Sequence, residues 1–241
     1  REFAKWYSQL ERPQIFLSTR DAGDAKAADL LRAFEQSRAT AVSPPATRVK
    51  AEWSYTDFGA PGAVVEDKRI DDLGIRTVRF ANGVMLNLKR TDFEKDRIRW
   101  SMRLDGGRLS FSPDQQPLAM LMDGAYVGGG LGKYDIDDLR SVLSGSTATA
   151  AFSTATDYFG GQGSIVGKDL DKQLQLLAAL ITDPGYREEA VRLFKKPLPE
   201  FYRRLDATPG AALSLGQARI MTDNDPRFVL PPLEKLEAAD F

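Results

Sequence analysis

Thr77-Val78-Arg79-Phe80-Ala81-Asn82-Gly83-Val84-Met85-Leu86-Asn87-Leu88-Lys89 is the stretch on which the reading of the fold turns. Two apolar-rich runs flank Asn82-Gly83, and Asn-Gly supplies the positive φ angles that a two-residue type I′ turn needs. The spacing therefore predicts a β-hairpin, 77–81 against 84–89. Downstream, Ile98, Trp100, Met102 and Leu104 alternate with Arg97, Arg99, Ser101 and Arg103. That alternation predicts a third strand with one buried face, ended by Gly106-Gly107.

Beyond the third strand the period changes. Leu118, Met120, Leu121 and Met122 mark a helix over 116–126, with Pro117 tolerated in its first turn. A glycine-rich turn and a short helix over 135–143 follow. Two strand candidates, 147–156 and 158–166, come next. Leu170, Leu174, Leu177, Ala178 and Ile181 form the stripe of an amphipathic helix, stopped by Asp183-Pro184. Residues 188–205 read as helical, with Pro197 and Pro199 kinking or breaking the run, and 211–221 as a last full helix.

Upstream of the hairpin, 14–18 is a short strand candidate, and 24–38 a helix with Asp24 as N-cap. Between 39 and 62 the periodicity fails amid Pro44-Pro45, Pro61 and two glycines, which reads as a connection. Trp53, Tyr55 and Phe58 stand in it and must pack on something, either a neighbouring domain or this chain itself. The expected organisation is 1–38 as the end of a preceding domain, 39–70 as linker, and 71–241 as one domain. Strands and helices do not alternate strictly, so the fold class is α+β, a mostly antiparallel sheet with helices packed on one face. Phe3, Trp6, Tyr7 and Leu10 keep helical spacing from the outset, and a helical pattern begins after Pro231-Pro232. Both termini thus read as interior to a longer protein.

Composition narrows function by exclusion. With 33 basic and 34 acidic residues the net charge is −1, so no field favours nucleic acid or an anionic membrane surface. No apolar run reaches bilayer length. The chain has no Cys and no His. Thiolate nucleophiles, imidazole-held zinc and a Ser-His-Asp triad are therefore unavailable. The run Gly128-Gly129-Gly130-Leu131-Gly132-Lys133-Tyr134 invites a phosphate-loop reading but fails it. Val127 stands where that motif needs Gly, and Tyr134 where it needs Ser or Thr. Asp71-Asp72, Asp137-Asp138 and Glu188-Glu189 are paired carboxylates, more in keeping with solvated faces and helix first turns than with acid–base chemistry.

Taken together, several stretches resemble the pitrilysin/insulinase family of zinc metallopeptidases. Phe58-Gly59-Ala60-Pro61-Gly62-Ala63-Val64-Val65 is similar to the family's linker as it enters the second half. The hairpin through Arg90-Thr91-Asp92-Phe93 is similar to the opening of that half. Asp105-Gly106-Gly107, Thr182-Asp183-Pro184-Gly185-Tyr186 and Asn224-Asp225-Pro226-Arg227-Phe228 fit the same register. The resemblance implies the end of a second domain, the linker, and a third domain whose metal helix is degenerate. Ala119, Met122 and Asp123 fall where that helix carries its His, Glu and His. Glu200 lies near the third ligand's region but reads as surface charge.

On this resemblance the segment is non-catalytic and lacks HxxEH. It holds no metal or cofactor itself, and zinc is expected elsewhere in the full-length protein. Its implied partners are the other domains of its polypeptide and a peptide substrate. Gly128, Gly129, Gly130, Gly132 and Lys133 are implied to face the substrate chamber, where open backbone N–H groups can pair with an extended peptide. The alternative is an inactive subunit or peptide-binding module that acts only with a catalytic chain. The family favours the periplasm over the cytoplasm for a bacterial member.

Overall fold

A computed structural model describes residues 14–19, 23, 26–41 and 52–241, in two compact units, 1–49 and 50–241. In the first unit, helix α1 spans Ala27–Ala39. Its N-cap is Lys26, whose N–H donates to Asp29 Oδ2 at 3.2 Å. Asp24 and the 3–10 helical pattern lie outside the described residues. The strand expected at 14–18 is not formed; those residues are irregular.

The second unit opens with an antiparallel meander, β1 (Val64–Ile70), β2 (Ile75–Phe80) and β3 (Met85–Lys89). Strand β1 stands inside the stretch expected as linker. Its Glu66-Asp67-Lys68-Arg69 hides any apolar alternation, because both of its faces are largely exposed. Its backbone ladder to β2 holds it, with cross-strand charge added: Arg76 Nε donates to Asp67 Oδ1 at 2.9 Å, and this guanidinium keeps the Asp67 carboxyl below its usual range.

The hairpin is as expected, but its turn is not type I′. Arg79 pairs with Met85, and Phe80 N–H donates to Val84 O at 2.9 Å, so the loop has three residues, 81–83. Gly83 N–H reaches Phe80 O at 2.9 Å, and Gly83 takes φ +88° while Asn82 stays at negative φ. This is a type I turn closed by a left-handed glycine, the usual three-residue solution.

Strand β4 (Ile98–Asp105) shows the expected alternation, with Ile98, Trp100 and Met102 half-buried. It pairs not with the hairpin but with β6 (Tyr158–Ile165), whose other edge carries the two-residue β5 (Ser153–Thr154). The antiparallel α+β class stands, divided into two three-stranded sheets.

Only Ser153–Thr154 of the 147–156 candidate is strand. Outside it, Thr147 and Thr149 take their partners from helix α4 (Leu170–Thr182) and the residue before it, while Ala155 and Thr156 bond to Tyr158, Arg108 and Leu109. Thr147 N–H donates to Asp169 Oδ2 at 2.7 Å. Gln173 accepts Thr149 N–H at 2.9 Å and donates to Thr149 O at 3.0 Å, copying a ladder with a side-chain amide. This also rotates the buried face of α4. Gln173, Leu176, Leu177, Ala179 and Leu180 point inward, whereas Leu174 and Ile181 of the expected stripe are exposed. A stripe chosen by apolarity alone passes over a satisfied glutamine.

The remaining helices are α2 (Gln116–Ala125) and α3 (Ile136–Val142), which precede β5, and α5 (Glu188–Lys195), α6 (Leu198–Ala207), α7 (Pro209–Met221) and α8 (Leu233–Ala238). Pro197 and Pro199 split 188–205 into α5 and α6, as a missing N–H and a ring clash require. One core cluster gathers Tyr126, Leu131, Tyr134, Leu139, Leu176 and Leu180, and a second gathers Leu121, Ala125, Ala190 and Val191.

Candidate functional site

Helix α2 carries the three positions matched to a metal helix. Ala119 is buried at 2% exposure, Met122 is half-buried, and Asp123 is exposed. The Asp123 carboxylate is already employed. It accepts the Thr154 N–H and lies 3.5 Å from the Arg108 guanidinium, whose Nε donates to Thr154 O at 3.3 Å. Asp123 thus ties α2 to the edge strand β5. Ala119 and Met122 offer no ligand of the kind zinc takes from His or carboxylate. Among the described residues no group of three or more His, Cys, Asp or Glu could hold a metal ion. Glu200 pairs with Arg203 one turn along α6.

The paired carboxylates separate to ordinary places. Asp71-Asp72 occupy the turn between β1 and β2. Asp137-Asp138 follow the N-cap Asp135, which accepts both of their N–H groups. Glu188-Glu189 form the first turn of α5, where the helix dipole favours negative charge.

The glycine loop is folded tightly against the 183–187 connection between α4 and α5. Val127–Gly129 is a 3-10 turn. Gly129 N–H donates to Tyr126 O, Gly130 N–H to Val127 O, Leu131 N–H to Tyr134 O and Gly132 N–H to Asp183 O, at 2.8–3.3 Å. The carbonyls are met as well. Gly185 N–H reaches Gly130 O at 3.1 Å. The Arg187 guanidinium donates to Gly129 O, to Leu131 O at 2.8 Å and to Gly132 O at 3.1 Å.

The expectation of open backbone N–H groups in this loop is therefore corrected for Gly129, Gly130, Gly132 and Lys133, whose donors are spent on the chain itself. Glycine is required at Gly130, whereas a side chain on Gly132 would have to displace the Asp183 carboxylate. Gly130 sits at φ +69° with its would-be Cβ 2.4 Å from Tyr134 O, and a Cβ on Gly132 would lie 2.3 Å from Asp183 Oδ1. Gly128 is different, its would-be Cβ meeting only Ala190 Cβ at 3.5 Å.

A strap, residues 52–55, lies over this loop. Trp53 and Tyr55 do fold back on this chain, while Phe58 remains 45% exposed. Trp53 stacks on Tyr134 with ring centroids 5.9 Å apart, and Tyr55 meets Tyr134 edge-on at 5.8 Å. Trp53 Nε1 donates to Gln175 Oε1 at 2.8 Å. The Tyr55 hydroxyl donates to Asp183 Oδ2 at 2.6 Å and accepts Lys133 N–H at 3.0 Å. Burial first, and then that bond to a carboxylate, pushes the Tyr55 phenol up to about 12. The Lys133 ammonium stands over the Tyr55 ring, 4.7 Å from its centroid.

Arg187 and Asp183 are the residues that sequence reasoning missed. The Arg187 contacts span 55 to 58 positions and no local pattern announces them. Tyr55 did carry a signal, as an aromatic stranded in a polar connection.

Sequence comparison matches no family model and no curated protein. Solved structures are similar in fold. One is a mutant of the ferredoxin protease FusC in complex with Arabidopsis ferredoxin, with a TM-score of 0.64 and 14% identity over 89% of this chain. Another is the periplasmic protease PqqL from Escherichia coli, with a TM-score of 0.67 and 18% identity over 88% of this chain. The chain spans 24% of the first and 23% of the second, about a quarter of their length. At such identity the likeness is one of fold.

Proposed function

We propose that this chain is a non-catalytic, chamber-forming segment of a zinc-dependent endopeptidase of the pitrilysin/insulinase type. One observation carries the reading: a chain without His or Cys has the fold of about a quarter of two proteases. Without imidazole or thiolate it has no means of building a protease-type zinc–water centre. The position matched to a metal ligand, Asp123, serves as a structural acceptor for Thr154. The zinc and the HxxEH helix belong, on this proposal, to another part of the full-length protein.

The expected organisation is proposed in the same form: 1–38 closes a preceding domain, 39–70 joins, and 71–241 is the non-catalytic domain. The strap and β1, although within the joining stretch, pack as part of the 50–241 unit. Apolar side chains left uncovered support further partners in the same polypeptide. Helix α7 buries none of its residues, with Leu213, Ile220 and Met221 more than 70% exposed, and β3 exposes Met85, Leu86 and Leu88. Within the chamber, the exposed Gly132 and Lys133 are the part of the glycine loop proposed to face peptide, through the Lys133 side chain.

The coding sequence upstream of Arg1 tests this directly. An in-frame HxxEH supports the enzyme segment, and its absence replaces that reading with an inactive partner subunit. Stoichiometric, tightly held zinc in this purified chain, or peptide hydrolysis by it alone, would overturn both.

A further inference from the structure

Among the loop's N–H donors at 129–133, four are met by carbonyls at 126, 127, 134 and 183. The fifth, Lys133 N–H, depends on the strap, because its acceptor is the Tyr55 hydroxyl. The same hydroxyl is bonded to the Asp183 carboxylate. One phenol therefore covers an amide donor and a carboxylate acceptor side by side.

No β ladder holds the strap itself. Ser54 N–H donates to the Tyr134 hydroxyl at 2.8 Å, that hydroxyl donates to Glu52 O, and Trp53 reaches Gln175. Tyr134 belongs to both sides. Its backbone closes the glycine loop on Leu131, and its ring lies against Trp53 and Tyr55. Lifting the strap strips the Tyr134 ring of these contacts while uncapping Lys133.

We propose that residues 52–55 form a releasable clamp on the glycine loop: strap and loop open together as one local unit, and opening bares the Lys133 N–H and the Asp183 carboxylate as a pair. A donor and an acceptor so placed suit a peptide unit, which carries one of each. The coupling itself does not depend on whether the loop meets peptide.

Native-state hydrogen exchange on the full chain tests it, with Trp53→Ala as the perturbation, since Trp53 touches Tyr55, Tyr134 and Gln175 but bonds to no backbone group of the loop. The Ser54 and Lys133 amides are expected to accelerate by a common factor, about tenfold or more, while the Leu176 and Leu180 amides do not move. The milder Trp53→Phe should give a smaller common factor, and it serves alone if the alanine variant does not fold. Acceleration of Ser54 with Lys133 unchanged, equal acceleration of all four amides, or no change at either site would each overturn the clamp.

Discussion

Replacing Arg187 by Ala removes the one side chain that meets the carbonyls of Gly129, Leu131 and Gly132. Hydrogen bonds from a charged donor contribute ~1.5–3 kcal/mol each where the acceptor is left unsatisfied. The three share one half-buried guanidinium and are not additive, Leu131 O keeps the Tyr134 N–H at 3.0 Å, and water can reach the exposed Gly132. A total of ~3 kcal/mol is therefore expected rather than three full bonds. With a urea dependence of ~3 kcal/mol per M, the upper end for small proteins, the midpoint should fall by ~1 M. Urea unfolding followed by tryptophan fluorescence measures this, because Trp53 in the strap and Trp100 on β4 both change environment. Arg187→Lys keeps the charge but offers a point donor instead of a planar fork, and should recover only ~1 kcal/mol of the loss. If Arg187→Ala shifted stability by less than ~0.5 kcal/mol, the level of an ordinary surface change, the loop would not be held by Arg187 and its carbonyls would be hydrated.

Gly130→Ala, forced to φ +69° with its Cβ 2.4 Å from Tyr134 O, should destabilise by ~2 kcal/mol or more, whereas Gly128→Ala should lie within ~0.5 kcal/mol of the parent; paired urea titrations decide between them. Tyr55 and Tyr126, both pushed up to about 12 by burial, should be the last phenols to appear in an ultraviolet titration, and Tyr55→Phe should remove one of the two. Because the folded value of Tyr55 is raised, its contribution is complete below ~10, the ordinary phenol value, and is lost as pH rises toward about 12. The base limb of a stability–pH curve should therefore be shallower in Tyr55→Phe. Asp169 behaves in the opposite sense. The Thr147 N–H and then its hydroxyl hold the Asp169 carboxyl below its usual range, so its contribution is present above ~4 and is lost as pH falls through the folded value. The stability gap between the parent and Asp169→Asn should close on acidification, and a gap independent of pH would exclude the ionised carboxylate as the source.

Local chemistry by itself determined the hairpin, the alternating strand 98–104, the helix Leu170–Thr182 and the proline break between α5 and α6. It also determined what chemistry is absent, since residue types that a chain lacks cannot be supplied by folding. The turn type escaped it, because Asn-Gly serves both a two-residue and a three-residue loop and only the strand register chooses between them. The inward face of α4 escaped it too, since Gln173 is buried only because the Thr149 backbone is there to receive its amide. Sequence located the glycine loop and flagged Tyr55, but only tertiary structure decided how the loop is held. A glycine run reads as flexible until Arg187 and Tyr55, 55 or more positions from the loop groups they meet, use up its polar groups. Hydrogen bonds of that span are set by how helices and strap pack in space, and packing leaves no periodic mark on the residues that make them.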